Sequence, residues 1–467
     1  MPINSFDDYY MSWRPERSAL ARPYYLCLAN MMEDEIRSGR LPANTKMPPQ
    51  RELADFLDLS LSTVTKAYKL CETRGLVHAT VGSGTFVTPY ATARTMVEEP
   101  SRFPGIDMGS VHPFYEHNAR VVDVARAVVG MPGAERLFEY SDPLGSASQI
   151  AAGVDWMRSL GVDADASGTL ITLGIQSALT LVLTTLFERG DRIAVDGYTY
   201  PNLIGLAKLL GLQLVPIAGD EEGMRADELD RICSMQEVKG MYIVPARNNP
   251  TNVRLSDVRR MDIASVIRKR NLIVLEDDNG AAVLSERPSP LSSYAPECCI
   301  YLAGLSKAVC SGLRIAYLSV PRHLMDCLQQ GALFGYLKVP GLNAEIAAEL
   351  IRTGAARDIA DSKRALAESR NGLFSQVFPG VRTVRDSYYQ WLELPEGMSG
   401  AICEAEAAKR GVNVLGAERF SVDRNAAPNF VRVATSSPRS DEDLVEGLQI
   451  LQSVVENQQT SGQTVIV

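Results

Sequence analysis

The sequence predicts two unlike parts: an N-terminal winged helix-turn-helix, mainly α with a β wing, and a large α/β domain on a mainly parallel sheet. Two patterns carry that prediction. Residues 24–73 hold three helix-length apolar stripes, and 76–87 hold two β-rich runs around a Gly-Ser-Gly tip. From residue 107 onward, short β-rich runs alternate with helix-length segments, the pattern of βα units and a sheet covered on both faces. A chain of 467 residues, 46% hydrophobic and 22% charged, is long enough for two or three domains and a sizeable core.

In "YLCLANMMEDEIRSG", Tyr25, Ala29, Met32 and Ile36 fall on one helical stripe. A proline-rich turn in "LPANTKMPPQRELADFL" leads to a short helix starting near Gln50. After Asp58-Leu59-Ser60, the helix "STVTKAYKLCETRG" buries Val64, Ala67, Tyr68 and Cys71 and shows Thr63, Thr65, Lys66 and Lys69. Hydroxyls and lysines at the start of a second helix after a tight turn suit contact with base edges and phosphates. "GLVHATVGSGTFV" reads as a wing, whose Gly82, Ser83 and Gly84 let backbone approach a phosphate or minor groove. A plain tight hairpin is the alternative reading of those glycines.

The net charge of −9 excludes a protein that coats nucleic acid along its length. Residues 17–89 differ, with nine Lys/Arg against seven acids, about +2. The eight cysteines have neither C-x-x-C spacing nor a histidine cluster, so we expect reduced core thiols in a cytoplasm, with neither metal nor disulfides. The most apolar runs are about half the roughly 20 residues of a membrane-spanning helix, and no leader is expected.

"MPPQRELADFLDLSLSTVTKAY" followed by "GLVHATVGSGTFV" resembles the winged helix-turn-helix of GntR-type transcription regulators. The resemblance implies binding of a double-stranded DNA operator through Arg51, Ser62, Thr63, Thr65, Lys66 and the wing residues Gly82 and Ser83. It departs at Leu61, where the family carries an arginine, so Thr63, Thr65 and Lys66 are expected to carry more of the readout. A surface ion pair of Arg51 with Glu52 or Asp55 is the alternative role for that side chain. We place this domain at 14–88 and a turn-rich linker without periodicity at 89–106.

In the large domain the β-rich runs are "GTLITLG", "DRIAVDG", "LQLVPIAG", "KGMYIVPA", "NLIVLEDD", "CCIYLAGLSK" and "GLRIAYLSV". Ligands of such sheets sit beyond the carboxyl ends of strands, where this chain places its polar exceptions. Asp277 follows "LIVL", Asn249 follows "GMYIVP", Lys307 ends "IYLAGLS", and Tyr200 follows "IAVDGYT". Together with Arg314 they match the needs of pyridoxal 5'-phosphate. Its aldehyde needs an amine of lowered pKa, supplied by Lys307, and its pyridine nitrogen needs a carboxylate, supplied by Asp277. Its ring needs a stacking partner, Tyr200. Its phosphate needs Arg314 and a helix N-terminus, offered by the backbone of Gly174, Ile175 and Gln176.

The same segments, with "NNPTN" and "NFVRVA", resemble the type I aminotransferase fold over about 107–455, ahead of a polar tail at 456–467. A GntR-like head on such a body is the layout of the MocR subfamily of bacterial regulators. By position, the resemblance implies that Lys307 forms the internal aldimine beside Ser306, Asp277 faces the pyridine nitrogen and Asn249 bonds the ring hydroxyl. Tyr200 then stacks on the ring, Arg314 holds the phosphate, and Arg432 clamps the carboxylate of an amine or amino-acid effector. Tyr140 matches a tyrosine that reaches the phosphate of the neighbouring subunit of a homodimer.

Leu173 and Ile175 replace the serine and threonine of the usual phosphate loop, Asn279 replaces a tyrosine, Ser311 a proline, and "NPTG" has become "NPTN". Three lost donors, at about 0.5–1.5 kcal/mol each, weaken cofactor binding unless something compensates. We therefore expect a regulator that senses the cofactor or an amine, with little or no transaminase turnover. The alternatives are a working aminotransferase carrying a DNA-binding head, and a regulator whose body has lost the cofactor.

Overall fold

The computed structural model describes residues 11–37, 40–42, 45–73, 76–80, 84–88, 103–140, 142–278, 280–422 and 429–462. The chain forms two compact units, Met1–Glu98 and Glu99–Val467.

The first unit contains helices α1 (Tyr24–Arg37), α2 (Gln50–Leu57) and α3 (Leu61–Thr73), then strands β1 (Val77–Thr80) and β2 (Gly84–Val87). The three expected helices and both wing strands are present. Asp58 ends α2 in the left-handed region at φ 50°, turning the chain so that α3 starts three residues later. Val64, Ala67, Tyr68 and Cys71 are buried as expected. On α1 the stripe is Leu28, Ala29, Met32 and Ile36; Tyr25, expected inside, is 38% exposed. The core also takes Met11 and Trp13. The proline-rich turn does more than connect: Met47 N–H donates to Thr85 at 2.8 Å and Val87 N–H to Thr45 at 2.9 Å, so the turn lies along β2 as a third ribbon. The wing tip with Gly82 and Ser83, and linker residues 89–102, lie outside the described residues.

The second unit begins with β3 (Ile106–Asp107), α4 (Asn118–Val129) and α5 (Ala147–Ser159), the last opened by a Ser146/Gln149 capping box. Then come β4 (Thr169–Thr172), α6 (Ile175–Leu186), β5 (Arg192–Asp196), α7 (Pro201–Leu210) and β6 (Gln213–Ile217). A small hairpin, β7 (Gly219–Asp220) and β8 (Gly223–Met224), precedes α8 (Ala226–Met235), β9 (Gly240–Ile243), α9 (Asp257–Arg270) and β10 (Ile273–Asp277). Strands β11 (Cys299–Gly304) and β12 (Ala316–Ser319) follow, then helices α10 (Arg322–Tyr336), α11 (Gly341–Arg352) and α12 (Ala355–Val377). The chain ends with β13 (Gln390–Glu393), α13 (Gly400–Lys409), β14 (Val412–Asn413), β15 (Leu415–Gly416), β16 (Phe430–Val433) and α14 (Asp441–Gly462). Helix α14 carries residues 456–462 of the segment read as a polar tail.

The seven β-rich runs of the sequence are the seven strands of the main sheet, ordered β4-β12-β11-β10-β9-β5-β6. Only β12 runs antiparallel to its neighbours. Apolar clusters cover both faces, which is why these strands read as unbroken hydrophobic runs. The parallel strands β5, β9, β10 and β11 all end on the same side, so Asp196, the loop carrying Asn249, Asp277 and the loop carrying Lys307 converge there.

Candidate functional site

Lys307 lies three residues past β11, in a turn closed by Val309 and Cys310 N–H donating to Leu305. Its side chain is partly buried and Nζ donates to the Val111 carbonyl. Burial, aided by the charges of Arg432, Lys363 and Arg314, pulls the amine down to about 7. An amine poised there is free to act as a nucleophile at neutral pH.

Asp277 closes β10, is 6% exposed, and accepts from the Tyr242 hydroxyl at 2.8 Å. Burial pushes that phenol well above its ordinary value, so Tyr242 stays a donor and Asp277 an acceptor. The neighbouring acids face elsewhere. Glu276 accepts from Leu291 and Ser292 N–H, each at 2.7 Å, and Asp278 accepts from Tyr301. Of the three, Asp277 is the one whose charge bears most on Tyr200.

Tyr200 precedes α7, where Pro201 at the first helical position orients it. Burial and the Asp277 charge raise its phenol to about 12, while Arg314 and Arg432 act in the opposite sense. Arg432, on β16, is 1% exposed and donates to Asn249 Oδ1 at 2.8 Å and to the Gly109 carbonyl at 2.6 Å. Its guanidinium lies 4.8 Å from the Phe420 ring centre and 5.5 Å from that of Tyr389. Burial lowers it to about 10, still a cation at neutral pH.

Gly174 stands at φ 82° before α6, a conformation that excludes most side chains. A Cβ there would meet Arg314 Nη2 at 3.0 Å, so the guanidinium sits against the backbone that opens the helix. No carboxylate among the described residues pairs with Arg314. Ile175 packs its side chain into the core at 7% exposure, leaving only its N–H for a ligand, and the Gln176 side-chain oxygen is buried with no partner. Ser306 is partly buried beside Lys307, and Tyr140, 90% exposed, points away from its own chain's core. The sequence-predicted site residues Lys307, Asp277, Tyr200, Arg314 and Arg432 thus share one electrostatic neighbourhood, with Asn249 tied to Arg432. Asn279 lies outside the described residues.

In the first unit, Arg51, Ser62, Thr65 and Lys66 are exposed at the starts of α2 and α3. Ser60 caps α3, accepting from Thr63 N–H at 3.2 Å and bonding the Ser62 and Thr63 hydroxyls. Thr65 donates to Gln50 Oε1 at 2.9 Å, so its hydroxyl is already engaged, whereas Lys66 projects freely. Arg51 forms no ion pair with Glu52 or Asp55. Leu61, standing where the resembling family has arginine, is 43% exposed.

Comparison with known proteins divides the chain in the same way. Residues 25–87 match the model of bacterial regulatory proteins of the gntR family, and 106–451 match aminotransferase class I and II. An HTH-type transcriptional regulator of Bacillus subtilis, YdeF, described as uncharacterised, is 37% identical over 98% of this chain and its own full length. The chain belongs to this family of GntR-type regulators with an aminotransferase-like body. A 2-aminoadipate transaminase of Thermus thermophilus is 27% identical over 57% of this chain and 68% of its own. The crystal structure of LysN from Thermus thermophilus, in complex with N-(5'-phosphopyridoxyl)-L-leucine, covers 79% of this chain and 96% of its own at TM-score 0.70 and 22% identity, a likeness of fold.

The regulator's site contains groups that the sequence did not reveal. Val111 and Gly109 contribute carbonyls, which leave no trace in residue identity. Tyr242 sits inside an apolar strand that conceals its hydroxyl. Lys363 and Tyr388 converge on the Lys307 carbonyl, at 3.4 and 3.2 Å. For Lys363 a signal existed: it interrupts the buried stripe Ile359, Ala367, Phe374 of α12.

Proposed function

We propose that this GntR-type regulator is of the MocR subfamily and holds pyridoxal 5'-phosphate at Lys307, reading an amine or amino-acid effector through Arg432. The observation that carries this reading is Lys307 just past the end of β11, with the buried Asp277 carboxylate ending the adjacent parallel strand β10 and Arg314 set against the backbone that opens α6. When bound, the cofactor supplies an aldehyde that captures amines and a ring that withdraws electrons. The chain's own residues fit it. Lys307 would provide the neutral amine, and Asp277, held as an acceptor by Tyr242, would serve a protonated ring nitrogen. Arg314 and the first N–H groups of α6 would hold the phosphate dianion. Tyr200 would stack on the ring, Asn249 would bond its hydroxyl, and Arg432 would offer a cation to an effector carboxylate.

Exposed aromatic residues at Phe138 (70%), Tyr140 (90%) and Phe334 (85%) support a homodimer, since Lys338 reaches the Glu139 carbonyl and brings the segments carrying them together. Among the described residues no helix is long and apolar enough to cross a membrane, which agrees with a cytoplasmic regulator on a double-stranded DNA operator. The test is an absorbance titration of purified protein with pyridoxal phosphate. Wild type should develop a saturable visible band that Lys307→Ala lacks; no band in wild type would leave a DNA-binding protein whose body has lost the cofactor.

A further inference from the structure

Lys363 has no exposed surface, and its partners among the described residues are neutral carbonyls, Val309 at 2.7 Å and Lys307 at 3.4 Å. The Tyr388 hydroxyl donates to the same Lys307 carbonyl at 3.2 Å. Burying an ammonium with no carboxylate in hydrogen-bond contact is costly, and a neutral amide at this position could satisfy the Val309 carbonyl without that cost. The charge itself is therefore the feature that needs an account. The Lys363 ammonium bonds the backbone carbonyl of Lys307 itself, so the charge lies on the turn that presents the amine, and Arg432 and Arg314 act on that amine in the same sense.

We propose that Lys363 is a positioning residue for Lys307: it pins the turn that presents the amine, and its positive charge keeps that amine in the neutral, reactive form. This rests on the reading of Lys307 as the cofactor-capturing group. Burial lowers Lys363 to about 8, with Cys310 and Glu116 acting in the opposite sense. It is thus still mainly charged at the pH where Lys307 titrates. Arg314 and Arg432 add to its effect on Lys307.

The experiment uses the full chain, pyridoxal phosphate and a hydride reductant that fixes the cofactor on the amine it has captured. The initial rate of fixation at Lys307 is followed between about pH 5.5 and about pH 9. Lys363→Met and Lys363→Gln, the latter keeping a donor for Val309, should raise the midpoint by about half to one pH unit and slow capture about threefold to tenfold well below it. Lys363→Arg, which keeps the charge, should retain the wild-type midpoint. So should Tyr388→Phe, which removes the other bond to the same carbonyl and no charge. Neutral variants that titrate like wild type, or an arginine variant that shifts as far as they do, would overturn the proposal. Failure of the wild type to be fixed at Lys307 would instead sink the underlying cofactor reading, and this one with it.

Discussion

The Arg432 guanidinium donates to Asn249 Oδ1 across 2.8 Å while its second terminal nitrogen donates to the Gly109 carbonyl across 2.6 Å. One side chain thereby joins β16, the loop after β9 and the first segment of the large unit, and holds its charge between the Phe420 and Tyr389 rings. The fork geometry matters as much as the charge, because two acceptors in different segments are met by one plane.

Arg432→Lys should therefore behave as a disruptive change. It keeps a cation but cannot reach both acceptors, and leaving a buried partner unsatisfied should cost about 2–4 kcal/mol in urea denaturation. A loss below about 0.5 kcal/mol, within the range of ordinary surface changes, would show that the arginine is not wired as described.

The stability of the wild type should rise with pH across the window set by Lys307. Its folded-state pKa, about 7, lies below the ordinary 10.5, so between those values the unfolded chain binds a proton that the folded chain has released. Below about 7 both states are protonated and the full penalty is present. Lys307→Met removes it and should stabilise by about 1–3 kcal/mol at pH 6, with the difference shrinking toward pH 10. Lys363, lowered to about 8, adds a second rise between about 8 and 10.5 in both proteins. A Lys307→Met difference that is constant with pH would contradict the depressed amine.

Gly174→Ala should weaken the phosphate end of the site. The backbone stands at φ 82° and the added methyl would meet Arg314 Nη2 at 3.0 Å, so both the helix start and the guanidinium must shift. We expect about tenfold weaker pyridoxal phosphate binding in an absorbance titration and about 1–2 kcal/mol of lost stability. Unchanged affinity would place the phosphate elsewhere.

In the head, Lys66→Ala should lower affinity for mixed-sequence duplex DNA and reduce the magnitude of the log-affinity against log-salt slope by about 1. Thr65→Val should leave that slope unchanged, because the Thr65 hydroxyl is already bonded to Gln50. Equal slopes for wild type and Lys66→Ala would remove Lys66 from the phosphate contacts.

The main sheet was legible because strands buried on both faces read as continuous apolar runs, and a charged residue ending such a run is conspicuous. Asp277 and Lys307 were found that way, and Arg314 by standing seven residues after Lys307. The reversed direction of β12 was not legible, since a run of buried residues carries no mark of strand polarity. Nor was the pairing of Thr45–Met47 with β2, made through backbone groups in a segment whose prolines read as a turn. The departures at Leu173 and Ile175 were visible, yet only the structure shows Ile175 turned into the core and Arg314 resting on Gly174. Lys363 lay in plain view on a buried helical stripe, and what it bonds to became apparent only when α12 met the turn after β11.

The most direct test of the central claim is peptide mapping by mass spectrometry after the protein is mixed with pyridoxal phosphate and reduced with borohydride. The account predicts one dominant phosphopyridoxyl group, on the peptide containing Lys307. A label spread over exposed lysines, with Lys307 unmodified, would contradict it.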